Sequence, residues 1–159
     1  MAISKGERIP DATLFRLGDQ GIETITTAEV FNGKKVLLFA VPGAFTPTCS
    51  ASHLPSYVVH ADELLAKGID TIACLSVNDA WVLDAWGKAQ NAEHILMLAD
   101  GNGEFTRAVG LEANMSARGY GIRSQRYAML VEDGVVKEIN VEAPGKVEVS
   151  DAETMLALL

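Results

Sequence analysis

The sequence predicts an α/β fold. Three apolar runs of strand length, KVLLFAV (35–41), DTIACLSV (70–77) and ILMLAD (95–100), read as strands buried on both faces, as in parallel sheets. The segments between them carry helix start and stop signals, and such alternation requires right-handed crossovers that gather strand ends and helix N-termini on one edge of the sheet. The third observation is a hairpin near the C-terminus, RYAMLVED and VVKEINVE (126–142), split by the turn pair Asp133-Gly134.

In chain order, residues 13–25 are expected to add short strands of their own before the first apolar run. TPTCSASHLPSYVVHADELLAKG opens on Thr and Pro as helix-start signals and closes at Gly68, with Pro55 expected to bend the helix. After the strand at 70–77, Asn78 or Asp79 can cap a helix through Trp81 and Trp86 to about Gln90. A short helix is expected near 104–109, after the third strand, and DGNG before it reads as a turn. The final SDAETMLALL starts with a capping-box pattern, Ser150 and Glu153, and continues as an amphipathic helix. No repeat or low-complexity linker divides the chain, so one domain over residues 1–159 is expected.

A chain of 159 residues buries roughly 70% of its unfolded surface, enough for one core without metal or crosslinks. Twenty-one acidic against 13 basic residues give a net charge of −8 with no basic run, which argues against nucleic acid as a partner. The N-terminal stretch has no signal-peptide character and no apolar run is long enough to span a bilayer, so a cytoplasmic protein without membrane contact is expected. In that compartment the two cysteines, Cys49 and Cys74, are free thiols by default.

Cys49 carries the chemistry. It falls in the first turn of a helix, where unpaired backbone N–H groups and the helix dipole favour thiolate over thiol. A free thiol of pKa about 8.5 is roughly 3% ionised at pH 7, so full ionisation supplies only about 30-fold in rate, or about 2 kcal/mol. The remainder needs donors that grip a substrate more tightly as bonds change, and the Thr46 hydroxyl, three residues earlier, is placed for this. In T-x-x-C the threonine stands where thioredoxin-type oxidoreductases carry a second cysteine; a hydroxyl forms no disulfide but hydrogen-bonds an oxygen. The location therefore suits an oxygen electrophile attacked by one thiolate, with a sulfenic acid as product.

PGAFTPTCS (42–50) resembles the P-x-x-x-T-x-x-C signature of peroxiredoxins, and LLAKGID, ACLSVNDAWV, LMLADGNGEF and RSQRYAMLVEDG resemble the type II or peroxiredoxin-5 subfamily. The likeness runs from about Gly6 to Leu159. It implies a thioredoxin-like fold, a central mixed sheet flanked by helices with an N-terminal extension, and a homodimer whose contact lies near the active-site loops and includes Phe45 and Trp81. It further implies that Pro42 shields the thiolate, Thr46 binds the peroxide, Cys49 attacks it, and Arg126 stabilises both thiolate and departing oxygen. Backbone N–H groups of Thr48 and Cys49 would add donors. Arg123 is the near competitor of Arg126, and without the resemblance nothing selects Arg126 among the arginines.

Some members carry a resolving cysteine near the C-terminus; EAPGKVEVSDAETM has none. Cys74 lies 25 residues from Cys49 in an apolar strand and reads as a small core residue, although plant type II relatives have two cysteines at similar spacing. A one-cysteine cycle is therefore expected, reducing hydrogen peroxide and alkyl hydroperoxides. The Cys49 sulfenic acid is then recycled by glutathione or glutaredoxin, with thioredoxin as the alternative reductant. No cofactor is expected beyond glutathione as reducing co-substrate. A peroxide-sensing relay protein is the alternative from another class, and a disulfide reductase is disfavoured by Thr46.

Other patterns resolve to plainer readings. His53, one turn after Cys49, makes a pair and not a zinc site, His60 and His94 add no ligand spacing, and His53 reads as a polar residue near the pocket or the dimer contact. Asp100, Asn102 and Glu104 mimic a calcium loop whose sixth and twelfth positions, Phe105 and Leu111, are wrong. The glycines of ARGYGIR lack phosphate-loop spacing, and Trp81 and Trp86 are first of all packing residues.

Overall fold

The computed structural model describes residues 1–159. The N-terminal segment forms a hairpin of β1 (Thr13–Gly18) and β2 (Gly21–Thr26), followed by a short helix α1 (Thr27–Phe31). Thr26 and Glu29 close a capping box on α1, the side chain of each bonding the other's backbone N–H. The first apolar run is β3 (Lys35–Ala40). The chain then crosses the loop 42–46 into a helical turn that widens to π-helical geometry over Cys49–His53 and continues as α2 (Leu54–Ala66). Next come β4 (Thr71–Ser76), α3 (Ala80–Ala89), β5 (Ile95–Ala99) and α4 (Glu104–Ala108). A small hairpin, β6 (Glu112–Asn114) and β7 (Ile122–Ser124), precedes β8 (Tyr127–Glu132), β9 (Val135–Val141) and α5 (Ala152–Leu156).

Seven strands form one mixed sheet in the order β2-β1-β5-β4-β3-β8-β9. The β3–β4 and β4–β5 pairs are parallel, as the uninterrupted apolar runs predict; β8 and β1 join antiparallel. On one face Leu37, Phe39, Ile72 and Cys74 pack against Tyr57 and Leu64 of α2 and Trp86 of α3. On the other, Val36, Leu38, Ala73 and Leu75 meet Phe31 of α1 and Phe105 of α4. The architecture is thioredoxin-like, with the N-terminal hairpin extending one sheet edge. No helix is long and apolar enough to cross a membrane.

Two local expectations are corrected. The bend anticipated at Pro55 is instead the π-helical turn just before it. Pro55 lies in the first turn of α2, where its missing N–H is tolerated, and the Leu54 N–H reaches back five residues to the Cys49 carbonyl. The capping box of Ser150 and Glu153 does not form: Asp151 occupies the cap position of α5, and the buried Ser150 hydroxyl donates to Glu142 Oε2 at 2.6 Å. A partly desolvated carboxylate eight residues upstream is a stronger acceptor than a solvated helix end offers. The alternative between Asn78 and Asp79 resolves to Asp79, whose Oδ1 accepts from Val82 N at 2.9 Å.

Candidate active site

The loop from Pro42 to Thr46 leaves the C-terminal end of β3 at the sheet edge where helix N-termini gather. It is tied down at several points. Ala44 N donates to Asn78 Oδ1 at 3.0 Å, and Ser76 Oγ donates to the same atom at 2.6 Å, which fastens the loop to the end of β4. Phe45 takes a left-handed backbone, φ 64°, a conformation that costs a non-glycine residue about 1 kcal/mol or more. At Gly43 a Cβ would stand 3.1 Å from both Thr46 Cγ2 and Arg123 Nη1, so any side chain there would have to push these neighbours aside by a few tenths of an ångström.

After Thr46 the chain turns helical, with Ser50 N donating to the Thr46 carbonyl at 3.0 Å. Pro47, which has no N–H to leave unpaired, is then the first helical residue, Thr48 the second and Cys49 the third, and the N–H groups of Thr48 and Cys49 have no carbonyl one turn earlier. The Thr46 hydroxyl donates to the Gly43 carbonyl at 2.6 Å, so its lone pairs, and not its proton, face the site. That reverses the donor role expected of it. Thr48 is exposed and its side chain caps nothing.

Cys49 is buried, and Arg126, the residue before β8, donates through Nη2 to Cys49 Sγ at 3.1 Å. This sets a positive charge against the sulfur and makes the contact a charge-assisted hydrogen bond whenever the sulfur is anionic. Arg123 does not touch the sulfur. Its Nε donates to the Tyr120 carbonyl at 2.9 Å and its Nη1 to the Pro42 carbonyl at 3.4 Å, so it braces the loop from behind.

Arg126 Nη1 lies 2.8 Å from His53 Nδ1, and His53 Nε2 lies 3.0 Å from the Ser150 carbonyl. The ring is fully buried. Burial, then the Arg126 charge, push His53 down to about 4, outweighing the Ser150 carbonyl and the carboxylates of Glu142 and Asp151. Glu142 is also held in place: burial pushes its carboxyl up, but hydrogen bonds from Ser150, Glu148 and Val149 outweigh this and hold it below the usual carboxylate value. Ser150 and Glu142 had no local signal in the sequence as site residues; His53 was marked only by its spacing from Cys49.

Cys74 sits in the middle of β4, opposite Phe39 on β3 and Met97 on β5, and is buried. Burial pushes its thiol well up, the neighbouring Cys49 adds to this, and Arg126 only partly offsets it. It is a neutral core thiol.

The redoxin family matches residues 4–156. Peroxiredoxin-2E-2, chloroplastic, of Oryza sativa subsp. japonica is 51% identical over 99% of this chain and 72% of its own length. Peroxiredoxin-2D of Arabidopsis thaliana is 48% identical over 99% and 98%. Among solved structures, reduced Prx3 of Vibrio vulnificus in complex with H2O2 superposes with a TM-score of 0.95 at 59% identity, covering 98% of each chain. A family match over residues 4–156, with relatives about half identical over nearly the whole chain, shows that the chain belongs to the peroxiredoxins, the thiol-dependent peroxidases of the redoxin family.

Proposed function

We propose that this peroxiredoxin is of the type II kind, that Cys49 is its peroxide-reactive thiol, and that it works by a one-cysteine cycle recycled by glutathione and glutaredoxin. The observation that carries the assignment of the site is the 3.1 Å contact from Arg126 Nη2 to Cys49 Sγ. The Cys49 thiolate attacks one oxygen of the hydroperoxide; an S–O bond forms, the O–O bond breaks, and the departing oxygen takes up a proton and leaves as water or an alcohol. Arg126 donates to the oxygens as charge develops on them, and backbone N–H groups of Thr48 and Cys49 add to it. The Thr46 oxygen accepts the O–H of the bound peroxide, which turns the other lone pairs toward the donors. Pro42 closes the side of the pocket.

The Cys49 sulfenic acid then condenses with glutathione, releasing water and leaving a mixed disulfide. A glutaredoxin thiolate takes the glutathionyl group and returns Cys49 as thiolate. Support for a single-cysteine cycle comes from Cys74, a buried neutral thiol in the middle of a central strand. Support for a homodimer comes from Phe45 and Trp81, apolar side chains 56% and 58% exposed beside the active-site edge. Peroxide consumption is measured with glutathione plus glutaredoxin, and separately with thioredoxin plus its reductase. Cys74→Ser keeps most turnover in the first and Cys49→Ser loses it; loss in both variants refutes the one-cysteine cycle. Turnover in the thioredoxin assay alone replaces the reductant, and a single oxidation that persists in both assays points to a relay protein.

A further inference from the structure

Arg126 is held from two sides. Its guanidinium is planar with several N–H donors; one reaches Cys49 Sγ, and Nη1, 2.8 Å from His53 Nδ1, faces a ring nitrogen. An N–H donor against that nitrogen requires a lone pair there. The other nitrogen, Nε2, faces the Ser150 carbonyl, which only accepts, so the imidazole proton sits on Nε2 and the lone pair on Nδ1 points at Arg126. The tautomer is thus dictated from both ends.

The ring has little freedom to leave this orientation. It is buried against the stacked pair Phe39 and Tyr57, whose centroids lie 5.1 Å and 5.8 Å from its own. The Ser150 carbonyl is itself fixed, because Tyr57 Oη donates to it at 2.6 Å. Glu142 Oε2 gathers Ser150 N at 2.7 Å, Ser150 Oγ at 2.6 Å and Val149 N at 2.9 Å, while Oε1 receives Glu148 N at 3.0 Å. Glu142 N in turn donates to the Arg126 carbonyl at 2.9 Å, which ties the anchor to the residue it serves. A histidine with its proton committed to Ser150 and its lone pair committed to Arg126 has no free site for acid–base work on the substrate.

We propose that His53 is a positioning residue for the reaction of Cys49 with peroxide: held by Ser150 and Glu142, its Nδ1 accepts from Arg126 and fixes the guanidinium against the sulfur. This rests on the reading of Cys49 as the peroxide-reactive thiol. His53 remains neutral at physiological pH because burial and the Arg126 charge oppose its protonation, so the acceptor is present whenever the enzyme works. A protonated ring would turn an N–H toward the guanidinium and push it away.

The test is single-turnover oxidation of the fully reduced chain by hydrogen peroxide, without any reductant, so that recycling does not enter. His53→Leu removes the acceptor and slows Cys49 oxidation about 30-fold, the loss typical of one hydrogen bond to a charged group. His53→Asn keeps an oxygen near the Nδ1 position, leaves the Ser150 carbonyl satisfied by Tyr57, and stays within about 5-fold of wild type. In an Arg126→Ala background, His53→Leu costs less than about 2-fold further, because the group it positions is gone. Wild-type speed in His53→Leu, equal losses in the Leu and Asn variants, or the full loss on top of Arg126→Ala each overturns the proposal. Wild-type peroxide consumption by Cys49→Ser overturns the reading beneath it, a failure recognisable apart from the other three.

Discussion

Arg126 Nη2 and Cys49 Sγ, 77 positions apart in sequence, stand 3.1 Å apart. One comes from the residue just before β8 and the other from the first helical turn after β3, and the antiparallel β3–β8 pairing, with Ala40 opposite Tyr127, brings those two ends together. The site is therefore a product of sheet register. A slip of one residue would send Arg126 to the opposite face.

Replacing Arg126 should separate charge from geometry. Arg126→Ala is expected to slow the peroxide step about 100-fold, the scale of a lost charge-assisted hydrogen bond plus an unpaired buried acceptor. Arg126→Lys should recover only about a tenth of wild-type speed, since a single ammonium cannot span both Cys49 and His53 as the planar fork does. Stopped-flow oxidation by hydrogen peroxide checks both; full activity in the lysine variant would show that charge alone suffices.

Cys74→Ser should cost stability and not chemistry. A hydroxyl in a fully buried strand position is expected to lower unfolding free energy by about 1–3 kcal/mol, while the single-turnover rate at Cys49 stays within about 2-fold. Urea unfolding beside stopped-flow kinetics distinguishes this from a redox role, which would show as lost turnover at unchanged stability.

His53 and Glu142 make acid stability a readout of the anchor. His53 falls from its ordinary 6.5 to about 4, so between those values the unfolded chain binds the proton that the folded chain refuses. Its contribution is therefore whole above about 6.5 and drains away toward about 4, on the order of 3 kcal/mol in all. Glu142, lowered in the folded state, acts with the same sign further into acid: its contribution is present above the usual carboxylate range and is lost as pH falls through its depressed value. His60, raised by Glu63 and Glu153, opposes them weakly, since its contribution is lost as pH rises and its partners are solvent-screened. Denaturation curves at pH 7.5, 6 and 5 should steepen this decline for wild type relative to His53→Asn; identical curves would contradict it.

The dimer proposal is tested through its exposed apolar pair. Phe45→Ala with Trp81→Ala is expected to shift sedimentation from dimer toward monomer at micromolar concentration. An unchanged dimer would move the interface elsewhere.

Much of this was legible locally. β3, β4 and β5 follow from unbroken apolar runs, and the β8–β9 turn from Asp133-Gly134, whose φ values of 46° and 78° are those the pair accommodates. α1 is signalled only by its capping box, Thr26 and Glu29, because five residues are too few to show periodicity. The three-residue strands β6 and β7 carry no apolar pattern at all. In the site, Pro42, Thr46 and Cys49 form one local motif, whereas Arg126 needed the family likeness to be singled out. Ser150 has the local pattern of a cap, but its partner, Glu142, comes from the preceding turn of chain and not from the helix that follows. His53 was marked by spacing, but its bond to Arg126 depends on register, which no local window contains.

The π-helical turn begins at Cys49 and ends at His53, so both contacts of the Arg126 guanidinium hang from one loosely wound coil. Because the sulfur and the imidazole share that one turn, any displacement of it moves both together and loosens the guanidinium at its two side-chain contacts at once.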